Sequence, residues 1–80
     1  MKAELIHANG VKQTLTNLTF SDAQKMVGGY VEVVKCIGVK GILLVDEDGT
    51  MKGKPINKEA SALYGGIIVG DAIFTTRIPK

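Results

Sequence analysis

Apolar residues along this chain fall in short runs, each closed by glycine, asparagine or an acidic turn. Ala3 and Leu5 alternate with Lys2 and Glu4, and Val11, Gln13 and Leu15 alternate with Lys12, Thr14 and Thr16. A period of two predicts strands over residues 2–8 and 11–16 that share one mostly polar face. Asn9-Gly10 between them predicts a two-residue type I′ turn, because both residues tolerate positive φ. Residues 30–37 are rich in β-branched side chains, with apolar residues in both parities, which predicts a central strand covered on both faces. Gly38-Val39-Lys40-Gly41 links this run to a second buried strand over 42–45 through a tight hairpin or a bulged connection. Asp46-Glu47-Asp48-Gly49 then reads as a charged turn. Near the end, residues 67–69 and 72–76 flank Gly70-Asp71, which predicts a last hairpin with a type II′ turn.

Two helical signals interrupt the strands. Ser21 followed by Gln24 has capping-box spacing, with Asp22 in the first turn, and predicts a helix over 22–27 stopped by Gly28. Ala23, Met26 and Val27 are then expected to face the sheet. Lys52, Gly53, Lys54 and Pro55 form a basic, irregular stretch, because proline biases the residue before it to extended backbone. Asn57 is expected to cap a second helix over 58–64 that ends at Gly65 and turns Ala60, Leu63 and Tyr64 inward. The predicted fold is a small α+β domain, with a mostly antiparallel, curved sheet of five or six strands and two short helices.

Eighty residues fit a single small domain, and a chain of that length buries only about 60% of the surface it exposes when unfolded. Self-association is one way to protect so small a core, so a homo-oligomer is expected. The single Cys36 cannot form an internal disulfide and lies in an apolar run, which fits ordinary packing and a reducing, cytoplasmic setting. No apolar stretch approaches about 18 residues, and no signal-peptide pattern opens the chain, so no membrane association is expected. Ten basic and eight acidic residues give a net charge of +2, too little to predict nucleic-acid binding.

The candidate chemistry is sparse. One histidine, His7, and one cysteine cannot build the usual zinc site within one chain. Asp46, Glu47 and Asp48 lack the spaced acids and terminal glutamate of a calcium loop. Gly28-Gly29 and Gly65-Gly66 lack phosphate-loop spacing and read as helix stops. No nucleophile, base and electrophilic stabiliser converge, so the sequence predicts a binding protein without catalytic residues, metal or cofactor. Glu32, a carboxylate in an apolar strand, belongs at an edge, beside a basic group or facing a site. The best ligand patch combines Lys52, Lys54 and Lys58 around Asn57 with Tyr64 beyond, while Tyr30 and Glu32 are further candidates. Lysine charges and a helix N-terminus suit an anion, and tyrosine can stack on a base. The competing reading of the patch is a solvated loop, a helix cap and a core tyrosine.

Residues 28–73 resemble a family of small uncharacterised proteins common in phage genomes and other mobile elements. The resemblance is carried by Gly29, Tyr30 and Glu32; by Glu47 and Gly49; by Asn57, Ala60 and Leu63; and by Gly70 and Asp71. It does not extend to the N-terminal hairpin, and it implies phage origin without implying an activity. With the basic Asn57 region, it leads to the expectation of a counter-defence protein that sequesters a nucleotide-derived immune signal in the host cytoplasm. The alternative is an inhibitor that binds a host defence protein through an exposed sheet edge or the polar hairpin face. A nucleic-acid-binding accessory ranks third.

Overall fold

The computed structural model describes residues 2–80. Five strands, β1 (Lys2–Ile6), β2 (Lys12–Thr16), β3 (Val31–Lys35), β4 (Ile42–Asp46) and β5 (Ala72–Thr75), form one open, curved antiparallel sheet in the order β2-β1-β5-β4-β3. The α+β class and the two short helices, α1 (Phe20–Val27) and α2 (Lys58–Tyr64), are as expected.

The pleat sorts side chains between two cores on opposite faces of the sheet. On one face Ala3, Leu5, Leu15, Leu44 and Ile73 pack with Ala23 and Val27 of α1. On the other, Leu43, Val45 and Ala72 pack with Ala60 of α2 and with Ile68. Each helix therefore covers a different face, and β4 and β5 must be apolar in both parities to serve both.

Helix α1 starts earlier than Ser21 and Gln24 suggest. Thr19 holds the extended N-cap backbone, its hydroxyl accepts from the Asp22 N–H, and the Asp22 carboxylate accepts from the Thr19 N–H. The box is thus Thr19 with Asp22, since Ser21 already lies within the first turn. Leu18 and Ala23 flank this cap in one apolar cluster, the arrangement of a hydrophobic staple. Gly28 and Gly65 close the two helices in left-handed conformation, at φ 89° and 82°. Met26 and Tyr64 are turned to solvent, contrary to expectation, because Ala23 and Val27, and Ala60 in α2, already fill the buried stripes.

Three other expectations are corrected. The first hairpin turns through the three residues Ala8, Asn9 and Gly10: the Gly10 N–H donates to the His7 carbonyl, and only Gly10 in this turn has positive φ. Asn9 does not enter the type I′ conformation but accepts from the Val11 N–H through its side chain. The run after Tyr30 is an edge strand and not a central one, with Glu32, Val33 and Lys35 exposed. Val31 is partly covered on the α1 face and Val34 on the α2 face, while Val33 is exposed. The last hairpin is absent: Val69 makes only an isolated bridge with Ile56, and β5 inserts between β1 and β4 as the central strand. The Gly70 N–H donates instead to the Pro55 carbonyl, so Gly70-Asp71 is a corner leading from the α2 side into the sheet.

Candidate functional site

Asp46 is the last residue of β4, and its parity places it on the α1 face of the sheet beneath the helix C-terminus. Its side chain is only 1% exposed, and one oxygen, Oδ2, lies 2.8 Å from both Lys52 Nζ and Lys54 Nζ. The other oxygen accepts from the Asp48 N–H at 2.9 Å, an Asx turn that starts the loop. Lys52 also donates to the Gly28 carbonyl at 2.9 Å, and Lys54 donates to the Val27 carbonyl. The two lysines thus satisfy carbonyls at the end of α1, where the helix dipole favours positive charge, while they neutralise a buried carboxylate. Lys52 foremost, then Lys54, hold the Asp46 carboxyl well below the usual carboxylate range, against burial, which acts the other way. Gly29 lets these groups approach: a Cβ there would lie 2.8 Å from Lys52 Nζ and 2.9 Å from Asp46 Oδ1.

Above this cluster an open groove of about 400 Å³ runs between Ser21, Gln24 and Lys25 of α1 and the residues Gly29, Tyr30, Asp48 and Lys52. Tyr30 is 71% exposed at its rim. Tyr30 and Lys52 are the two expected ligand residues that share one cavity. The others occupy different surfaces. Lys54 opens on a neighbouring hollow with Pro55, Gly70 and Asp71, and Lys58 on one with Ala8 to Gly10 and Glu59. Glu32 lies on the opposite face of the sheet with Thr50 and Ile67, and Tyr64 lies over Gly66 at the far end of α2.

Asn57 is fully buried. Its amide donates to the carbonyls of Ile6 at 2.8 Å and Gly70 at 2.9 Å, and its oxygen accepts from the Ala60 N–H at 3.1 Å. The N-cap reading is correct, and the same side chain also ties α2 to β1 and to the corner before β5.

Two arrangements escaped sequence reasoning, one because its partners are 64 residues apart in the chain and the other because its acid sits in an ordinary-looking turn. His7 Nδ1 lies 2.9 Å from Asp71 Oδ2, and the Ala8 N–H donates to Asp71 Oδ1, so the end of β1 is fastened to the start of β5. Asp46 looked like one of three turn acids, and only the alternation Ile42, Leu44, Asp46 could have marked it as inward. Cys36 is half-buried beside Val34, Leu63 and Phe74, and burial pushes its thiol up. Among the described residues no group of three or more His, Cys, Asp or Glu side chains could hold a metal ion, and no helix is long and apolar enough to cross a membrane.

The remaining feature is the outer edge of β3. The Glu47 N–H donates to the Tyr30 carbonyl and the Cys36 N–H to the Gly41 carbonyl, so even-numbered residues of this strand bond to β4. Antiparallel alternation then turns the N–H and C=O of Val31, Val33 and Lys35 to the open side. The Ile37 N–H, next in that series, is taken by the Leu63 carbonyl at 2.8 Å. Exposed Tyr30 and Ile37 flank the open segment, and exposed Val33 lies at its centre.

No curated protein and no solved structure matches the chain. One family model does, and it takes in the β1–β2 hairpin that lies outside the residues carrying the phage-type resemblance. With residues 1–79 matched, the chain belongs to the family described as domain of unknown function DUF3846.

Proposed function

We propose that this protein is a non-enzymatic binding protein that engages another protein by adding a strand to the outer edge of β3. The observation that carries this reading is the open set of backbone groups at Val31, Val33 and Lys35, flanked by exposed apolar side chains. Strand addition recruits affinity from main-chain hydrogen bonds and needs no deep pocket. In a phage or mobile-element setting, the partner is a host defence protein, bound and blocked inside the host cell. Proline at position 33 is a clean probe, because the Val33 N–H faces away from β4 and proline is tolerated at such edge positions. Affinity purification from infected cells should recover one stoichiometric host protein with the wild type and lose it with Val33→Pro at unchanged thermal stability. Equal recovery with both proteins, or no recovered partner, would refute the reading.

A second reading is favoured by the groove beside Tyr30, where Lys25, Lys52 and an exposed ring suit the phosphate and base of a nucleotide-derived signal. Capture there would reserve the signal from its host receptor. Protein incubated with cyclic and ADP-ribose-type nucleotides, then desalted and heated, should release intact ligand, and Tyr30→Ala should release at least tenfold less. An empty supernatant across that panel removes this alternative.

A further inference from the structure

The open edge of β3 also carries a charge pattern. Glu32 and Lys35 are both exposed, and neither makes a salt bridge among the described residues. They project from opposite faces of the sheet: Val31, Val33 and Lys35 to the α1 side, Glu32 and Val34 to the α2 side. An antiparallel strand laid on this edge places one of its residues directly opposite each of these five, on the same face. An acidic residue then meets Lys35, apolar residues meet Val34 and Val33, a basic residue meets Glu32, and an apolar residue meets Val31.

Resting on the strand-addition reading, we propose that the partner segment is an extended peptide reading, from its N-terminus, acidic, apolar, apolar, basic, apolar. The ladder is about five residues long, because the Leu63 carbonyl already holds the Ile37 N–H and closes the edge beyond Cys36. A second copy of the chain does not supply this pattern. Two β3 edges can meet only through their outward residues, so the central antiparallel alignment sets Val33 opposite its own counterpart and Lys35 opposite Val31. Glu32 then lies diagonal to another Glu32. The sequence Glu32-Val33-Val34-Lys35-Cys36 has the required chemistry, but matching it would need even-numbered residues to face outward, and these are bonded to β4.

The test uses the isotope-labelled full chain and two end-blocked peptides of one composition, Thr-Glu-Val-Val-Lys-Val-Thr and its charge-exchanged form Thr-Lys-Val-Val-Glu-Val-Thr. The first should shift the amide resonances of Val31, Val33 and Lys35 and bind about tenfold more tightly, since two opposite-charge pairs replace two like-charge pairs. The double variant Glu32→Lys with Lys35→Glu should reverse the preference, and both sites are exposed, so its fold is preserved. Equal binding of the two peptides overturns the charge register and leaves strand addition standing. No shift with either peptide, or shifts confined to other surfaces, overturns both.

Discussion

Asn57→Ala is expected to lower stability by about 3–5 kcal/mol. Removing the cap oxygen costs roughly 1 kcal/mol, and losing the amide donor costs about 1–2 kcal/mol at each of the two carbonyls, the lower part of the usual range. Both carbonyls lose that donor together, because one amide group serves Ile6 and Gly70. Small domains hold roughly 5 kcal/mol in all, so the variant should be largely unfolded in mild denaturant. Asn57→Asp separates the contributions. It keeps the acceptor for the Ala60 N–H but sets carboxylate oxygens against two carbonyls, so it should be at least as damaged at pH 7. Acid should restore part of its stability, because a protonated carboxyl can donate one bond. Urea unfolding followed by circular dichroism measures both effects, and a loss below about 1 kcal/mol for Asn57→Ala would show that the network does not hold the fold.

The same residue shows what could be read without coordinates. Asn57 before a glycine-bounded apolar run identified the cap of α2 because capping is local, settled within four residues. The β1–β2 and β3–β4 hairpins and the Gly28 and Gly65 helix stops were legible for the same reason. Strand order was not. Val31 to Lys35 has the composition of a covered strand, yet it lies at an edge, because the chain returns through α2 to insert β5 between β1 and β4. The apolar run Ala72-Ile73-Phe74 suits a strand covered on both faces, but nothing local to it specifies β1 and β4 as its neighbours. The candidate site failed in the same way: Lys52, Lys54 and Asn57 are neighbours in sequence, but α1 and Asp46 claim the lysines while β1 and Gly70 claim the asparagine. Of the expected ligand residues, Tyr30 kept an exposed place beside a cavity because no apolar layer reaches it.

Asp46→Asn is expected to cost about 2–3 kcal/mol at pH 7 and to change the acid response of the protein. Breaking a buried pair by removing one partner costs about 3–5 kcal/mol when the remaining charge stays buried. Here the remaining charges are lysines with side chains 42% and 24% exposed, which can turn toward water, so the loss falls below that range. Their release also uncovers the carbonyls of Val27 and Gly28, which loosens the end of α1 and the floor of the groove. The folded Asp46 carboxyl titrates below its unfolded value of about 3.9, so its contribution is complete above about pH 5. That contribution fades as pH falls through the unfolded and then the folded value, because the unfolded chain takes up the proton first. Wild-type stability should therefore decline between about pH 5 and pH 2, whereas Asp46→Asn should start lower and decline less. Lys52→Met or Lys54→Met alone should cost about 1 kcal/mol, since the other lysine still neutralises Asp46, and the double variant should cost more than their sum. Chemical denaturation of these variants across pH measures each term, and parallel pH profiles for wild type and Asp46→Asn would show that another group governs the acid response.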